Sequence, residues 1–292
     1  MTTPTAQPEI ITAVPTGFDA EGALDLDASR AILEFVAESG NEGAFVLGTT
    51  GEFPALSIEE RSQLTRLAVD VLAERMRVIV HVGASSLHEV KQLIGQAREA
   101  GAKEIAVITP YYLPATDGAL EAFFRAVSEE SAGLQVYVYV YAKRANNFIS
   151  PELMRPISRL PNIVGAKVSE EPLSLLAEYR AVVPEDFVIY TGADSDVLRV
   201  VEHGAQGVVS GVSSVLPAPF RAAVEGRGTP EELQRGVDQA VSAIAGDMAR
   251  MHEAYALQGV DSGTCRMAIA TPDDAAKQEI AAAVEALGRS RG

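Results

Sequence analysis

The feature that most constrains this chain is an alternation, repeated eight times, of a short β-branched run with a longer amphipathic stretch. Strand-like runs fall at Ile10–Val14, Ala44–Leu47, Val78–Val82, Ile105–Ile108, Val136–Tyr141, Ile163–Lys167, Phe187–Tyr190 and Gly207–Ser210. Apolar residues at helical spacing separate them, over Ala28–Glu38, Ile58–Ala73, Leu87–Ala100, Ala119–Ser131, Pro151–Ser158, Leu173–Val182 and Ser195–His203, and an eighth helix is expected near Pro217–Glu225. Most of the strand runs lack polar alternation, so both faces should be buried, as in a parallel sheet covered by helices. Eight strand–helix units favour a closed (β/α)8 TIM barrel over a doubly wound sheet.

Local signals agree with this division. Ser57-Ile58-Glu59-Glu60 has the form of a capping box, which starts a helix. Gly40 and Gly101 follow helical runs, where a left-handed cap is wanted. The barrel should be complete by Gly226, giving a unit over residues 1–226. Residues 227–292 are rich in Ala and Glu at helical spacing, with breaks near Gly259–Gly263 and Thr271-Pro272. They are expected to form an appended C-terminal helical segment of about three helices, packed on the barrel as part of the same unit or building an oligomer interface.

Composition excludes several function classes. Forty acidic against 24 basic side chains give a formal net charge of −16, which would repel a phosphate backbone and argues against a nucleic-acid partner. No run approaches the roughly 20 apolar residues of a membrane-spanning helix. The single Cys265 cannot form an intrachain bridge, and Met1–Glu9 lacks the basic and apolar regions of a secretory signal, so a cytoplasmic location is expected.

In a barrel of this kind the chemistry sits at the C-terminal ends of the strands. Lys167, one of only five lysines, closes the apolar run Ile163-Val164-Gly165-Ala166. Desolvation by apolar walls would lower its pKa and make it a nucleophile toward a carbonyl; the alternative is a lysine that snorkels out of the barrel mouth. Lys143 also follows a strand, but Arg144 and Asn146 beside it suggest a solvated turn. Gly48-Thr49-Thr50-Gly51 offers backbone N–H groups suited to a carboxylate, unless it is merely a turn, and the Thr49 hydroxyl could pass a proton. Tyr137, Tyr139 and Tyr141 share one strand face; they either fill the core or supply, from Tyr139 or Tyr141, an acid–base phenol.

With these residues assembled, the chain resembles the dihydrodipicolinate synthase and N-acetylneuraminate lyase family of Schiff-base-forming class I aldolases. The resemblance runs from Thr12-Ala13-Val14-Pro15-Thr16 through Gly48-Thr49-Thr50-Gly51-Glu52, Thr109-Pro110-Tyr111-Tyr112, the lysine-ended strand and Ser210-Gly211 with Pro217, in family order. It implies that Lys167 is the Schiff-base lysine and that Tyr139, 28 residues before it, is the catalytic tyrosine rather than Tyr141. Thr49 and Tyr112 match the rest of the proton relay, the latter reaching in from a neighbouring subunit, so a homo-oligomer, dimer or tetramer, is implied. Thr50 matches the position that holds the pyruvate carboxylate. Gly192 and Val209 match positions lining the site, and Arg144 falls where the synthases place an arginine for their second substrate. No metal or organic cofactor is implied.

Departures from the family pattern concern the acceptor. Family members usually read Tyr-Asn-x-Pro-Gly-Arg-Thr-Gly around the catalytic tyrosine, where this chain reads Tyr139-Val140-Tyr141-Ala142-Lys143-Arg144-Ala145-Asn146. Lys167 is followed by Val168-Ser169-Glu170, and Phe53-Pro54 replaces the small pair common in lysine-regulated synthases, which argues against a lysine feedback site. The expected reaction joins pyruvate to an aldehyde, or cleaves a 4-hydroxy-2-oxo acid. Alternatives are a dihydrodipicolinate (4-hydroxy-tetrahydrodipicolinate) synthase using aspartate semialdehyde, a 2-keto-3-deoxy sugar acid dehydratase, and a non-catalytic pyruvate-binding regulator.

Overall fold

A computed structural model describes residues 7–288; the first six residues of the Met1–Glu9 stretch lie outside them. Eight parallel strands close into a barrel in sequence order: β1 (Glu9–Ala13), β2 (Gly43–Val46), β3 (Arg77–His81), β4 (Glu104–Ile108), β5 (Gln135–Val140), β6 (Ile163–Val168), β7 (Val188–Thr191) and β8 (Gly207–Ser210), with β8 pairing back onto β1. Eight helices fall between or follow the strands: α1 (Leu26–Ala37), α2 (Ile58–Leu72), α3 (Leu87–Glu99), α4 (Asp117–Glu130), the one-turn α5 (Ala142–Ala145), α6 (Pro151–Ile157), α7 (Leu173–Arg180) and α8 (Pro217–Glu225). The Ser57–Glu60 capping box is formed in both directions, and Gly40 and Gly101 adopt φ of 77° and 85°.

Both strand faces are buried, which is why the runs read as continuously apolar. Outward-facing residues such as Val80, Val107, Val138 and Ile189 pack beneath the helices in the larger core. Inward-facing Ile11, Phe45, Ile79, Ile108, Tyr139 and Val209 fill the barrel itself. At the N-terminal end, the Arg77 guanidinium closes the interior, bonding Glu9 at 2.9 Å, Glu104 at 2.7 Å, and the phenols of Tyr137 at 2.8 Å and Tyr190 at 3.0 Å. Tyr137 is therefore a structural tyrosine, as the core-filling reading has it.

One irregularity sets up the opposite end. The β5–β6 register steps from Val136 opposite Ile163 to Tyr137 opposite Gly165, so Val164 is an extra residue. Such a slip flips which face each later side chain occupies. It brings Lys167 level with Tyr139. Gly165 permits the slip, because a Cβ there would lie 2.5 Å from the Val188 carbonyl oxygen and 2.7 Å from the Tyr137 ring.

Two expectations need correction. No α-helix forms over Ser195–His203; the chain instead makes 3-10 turns at Asp194–Asp196 and Val200–His203. The backbone closes tight i to i+3 bonds here, Val197 N–H to Asp194 O at 3.3 Å and Arg199 N–H to Asp196 O at 2.8 Å, and Gly204 at φ 80° ends the second turn. Strand β6 also runs one residue past Lys167, to Val168.

Beyond the barrel, α9 (Pro230–Ile244), α10 (Met248–Leu257) and α11 (Asp274–Leu287) follow. Val237, Ile244, Met251, Tyr255 and Ile280 join the core shared with the barrel helices. Polar ties fix the segment: the Tyr255 hydroxyl bonds Ser214 O at 3.0 Å, and the Arg266 guanidinium bonds both Glu60 oxygens at 2.7–2.8 Å. Among the described residues, no helix is long and apolar enough to cross a membrane.

Candidate active site

Lys167 is 6% exposed, with its Nζ 4.3 Å from the ring centroids of both Phe45 and Tyr139. Register explains this, since Tyr139, Lys167 and Tyr190 lie side by side on β5, β6 and β7. Burial dominates its electrostatics and lowers the amine to about 7, against an opposing pull from the Asp194 carboxylate. The amine points into the barrel, which excludes the snorkelling alternative. Lys143, by contrast, is exposed on α5 and pairs with Glu170 at 3.3 Å.

The Tyr139 hydroxyl lies 3.1 Å from Thr49 Oγ1. Burial raises the phenol's pKa, while hydrogen bonds to Thr49 and Ser169 partly offset that rise. Tyr139 is thus held as a neutral phenol that can donate or relay a proton. Tyr141, the other candidate, is engaged differently: its hydroxyl donates to the Glu170 carboxylate and accepts from Arg144 Nε at 3.3 Å.

The turn after β2 is built on left-handed backbone. Leu47 and Glu52 adopt φ of 61° and 52°, an uncommon conformation for residues with side chains. Two bonds brace it, from His81 Nδ1 to Leu47 O at 2.9 Å and from the Thr16 hydroxyl to Gly51 O at 2.9 Å. Gly48 N–H is followed by two amides, Thr49 and Thr50, that find no acceptor among the described residues. Consecutive free amides of this kind suit a carboxylate.

Gly192 follows β7, and a Cβ there would meet Ser169 Oγ at 2.7 Å, so a side chain at 192 would displace the Ser169 hydroxyl. Val209 is buried in the barrel interior, level with Ile11 of β1. Arg144 lies exposed on α5, with its guanidinium carbon 5.9 Å from the Tyr141 ring centre. Tyr112 is not brought to Thr49 within the chain; it is 84% exposed, at φ 83°.

Sequence reasoning passed over two site residues. His81 ends β3 fully buried, with its ring 5.8 Å from Tyr139 and 4.5 Å from Phe53; burial and the Arg61 charge hold its pKa far down, so the ring is neutral. A polar residue closing the apolar run Val78-Ile79-Val80 was the available signal. Asp194 faces Lys167 from beyond β7, and burial raises its carboxyl to about 7 in spite of Ser210 and the lysine. An acid two residues after Gly192 could have been singled out by the same strand-end rule.

A buried amine, a phenol bonded to a threonine and a pair of free amides now stand at one barrel mouth, and known proteins carry the same architecture. The Dihydrodipicolinate synthetase family model matches residues 6–287. The 4-hydroxy-tetrahydrodipicolinate synthase 2 of Halalkalibacterium halodurans is 30% identical over 285 residues, covering 95% of this chain and 97% of its own. The dihydrodipicolinate synthase DapA-2 of Bacillus anthracis superposes with a TM-score of 0.88 at 25% identity, over 97% of this chain and 99% of its own. YagE of E. coli K12, a prophage protein of that family solved in complex with pyruvate, gives a TM-score of 0.85 at 25% identity, over 96% and 98%. The chain belongs to the dihydrodipicolinate synthetase family.

Proposed function

We propose that the protein is a class I carbon–carbon lyase that forms a Schiff base between Lys167 and pyruvate, then joins the resulting enamine to an aldehyde or releases one from a 4-hydroxy-2-oxo acid. The observation that carries this reading is the Lys167 amine, buried against Phe45 and Tyr139 and lowered to about 7, so that near neutrality about half of it is the free nucleophile. The pyruvate bound in YagE supports the choice of oxo acid.

Thr49 and Thr50 amides receive the pyruvate carboxylate and aim its carbonyl carbon at Nζ. Attack gives a carbinolamine, whose hydroxyl leaves as water after protonation by Tyr139 through the Thr49 hydroxyl. The iminium then loses a C3 proton to the Tyr139 oxygen, which restores the phenol and leaves the enamine. C3 attacks the aldehyde carbon, and Tyr139 protonates the new alkoxide. Water returns to the iminium, releases the product and restores the amine, and the proton set free returns to Tyr139. Gly192 and Val209 line the chamber. In this scheme Tyr112 completes the relay from a neighbouring copy in a homo-oligomer, either a dimer or a tetramer, and the 227–292 helices form one structural unit with the barrel.

The second reading, a 4-hydroxy-tetrahydrodipicolinate synthase acting on aspartate semialdehyde in the cytoplasm, is favoured by Arg144 at the mouth and by the names of the relatives. Against it, Arg144 sits on a helical turn tied to Tyr141 and Glu170. Borohydride reduction with pyruvate followed by intact-mass measurement tests the shared core: one reduced adduct per chain is expected, and none in Lys167→Ala. No adduct on the native protein, or an undiminished one in the variant, refutes it. Turnover of aspartate semialdehyde that is lost in Arg144→Ala selects the second reading.

A further inference from the structure

Behind the turn that carries Thr49 and Thr50, three potential metal ligands converge. Carboxylate, imidazole and thiol donor atoms of Glu52, His252 and Cys265 all lie within 4.8 Å of one another. Glu52 is fully buried and His252 is 6% exposed. Two buried atoms of this group, Glu52 Oε1 and His252 Nε2, have no nitrogen or oxygen partner among the described residues, and within the cluster the Cys265 thiol hydrogen-bonds the Glu52 carboxylate. An orphaned acceptor in a dry interior is costly, and two in one cluster call for a common partner.

The surroundings prepare each group for a cation. Glu52 Oε2 is fixed by the amides of Arg266 at 3.1 Å and Met267 at 2.5 Å, which leaves Oε1 turned toward the cluster. His252 Nδ1 meets Ser262 Oγ at 3.0 Å; if that nitrogen carries the proton, Nε2 is a bare lone pair. An outer partner of this kind is how a ligating histidine is usually oriented. The Cys265 thiol faces the Glu52 carboxylate, so a dication seated between them would take the place of the thiol proton.

We propose that Glu52, His252 and Cys265 form a site for a divalent transition-metal ion of the zinc type. One oxygen, one imidazole nitrogen and one thiolate suit such an ion, with a fourth position for water. Ligand distances of roughly 2.0–2.3 Å require the three donors to draw together by about an ångström, within reach of side-chain adjustment. The site is separate from the reacting amine. Its ion would tie the segment around Cys265 to Glu52, the left-handed residue that closes the Thr49–Thr50 turn, and Met251 beside His252 already packs behind that turn, 2.8 Å from where a Cβ on Gly211 would stand. The consequence is structural: metal binding stiffens the turn that holds the substrate carboxylate.

The test uses the full chain stripped by chelator and reloaded with Co2+, a spectroscopic stand-in for Zn2+. One Co2+ per chain should survive desalting, with a tetrahedral ligand-field spectrum and a thiolate charge-transfer band, and Zn2+ should displace it. Cys265→Ser should abolish the charge-transfer band and weaken Co2+ binding by about tenfold or more, and His252→Gln should weaken it comparably. Zn2+ should raise the melting temperature of the native chain and leave that of Cys265→Ser unchanged. If Cys265→Ser does not fold, His252→Gln decides by the same loss of affinity. Failure to retain Co2+, a charge-transfer band that survives Cys265→Ser, or undiminished affinity in folded His252→Gln overturns the proposal in favour of a metal-free hydrogen-bonded cluster.

Discussion

The pH at which Lys167 becomes reactive is the most direct measure of what burial does to it. An ordinary lysine amine, at 10.5, is neutral in about one molecule in 3,000 at pH 7. Lowered to about 7, Lys167 is neutral in about half, a gain of three orders of magnitude in nucleophile. The rate of pyruvate adduct formation, trapped by borohydride in single-turnover samples between about pH 5 and pH 10, should therefore rise with pH, reach half its maximum near 7, and flatten above about 8. Asp194→Asn fixes the sign of the coupling. The Asp194 anion favours the ammonium form, so its removal should move the midpoint lower and sharpen reactivity in mild acid. A trapping rate still climbing above about pH 9, or a midpoint raised by Asp194→Asn, would refute the account of a desolvated amine opposed by one carboxylate.

Other consequences can be checked with the same protein. Tyr139→Phe should lower kcat by about 10²–10⁴-fold while leaving the Lys167 adduct detectable, and Thr49→Val should do less, read by steady-state kinetics. If Tyr112 acts from a neighbouring copy, Tyr112→Phe and Lys167→Ala should each be nearly inactive alone yet recover activity when dissociated and reassembled together; no recovery argues that Tyr112 serves its own chain or none. Lys167→Met should stabilise the fold near neutral pH by about 2–4 kcal/mol in denaturant titrations. The sign follows from linkage: the folded-state pKa is depressed, so between about 7 and 10.5 the unfolded chain binds more protons and the native protein gains stability as pH rises. The advantage of Lys167→Met should shrink across that window.

What the sequence made legible was whatever repeats or sits at a fixed interval. Eight apolar runs were readable because both strand faces are largely buried, so few polar residues, such as Thr12 and His81, interrupt them. The capping box at Ser57 was readable because its two bonds join residues three apart. The 3-10 turns after β7 were not, because Leu198, Val200 and Val201 have the apolar spacing of a helix, and that spacing does not distinguish an α-helix from two short 3-10 turns. His81 and Asp194 were missed for a different reason. Their strand-end positions were visible, but what matters about them is interaction with residues far along the chain, Leu47 for the imidazole and Lys167 for the carboxylate, and position alone does not announce such a meeting.

The same distinction explains the catalytic pair. The 28-residue interval between Tyr139 and Lys167 is a number without a cause until the β5–β6 register is seen. In an unbroken ladder from Val136 and Ile163, Tyr139 would stand opposite Ala166, and Lys167 would lie on the helix-facing side of the sheet. The extra Val164 reverses that phase, and Gly165 makes room for it beneath Tyr137. A substitution of Gly165 should thus damage the amine's placement although residue 165 touches no substrate: Gly165→Ala must push either the Val188 carbonyl or the Tyr137 ring aside. The loss should appear as slower adduct formation with a trapping midpoint moved up toward that of a solvated lysine. Unchanged trapping in a folded Gly165→Ala protein would mean that the bulge does not govern where Lys167 points.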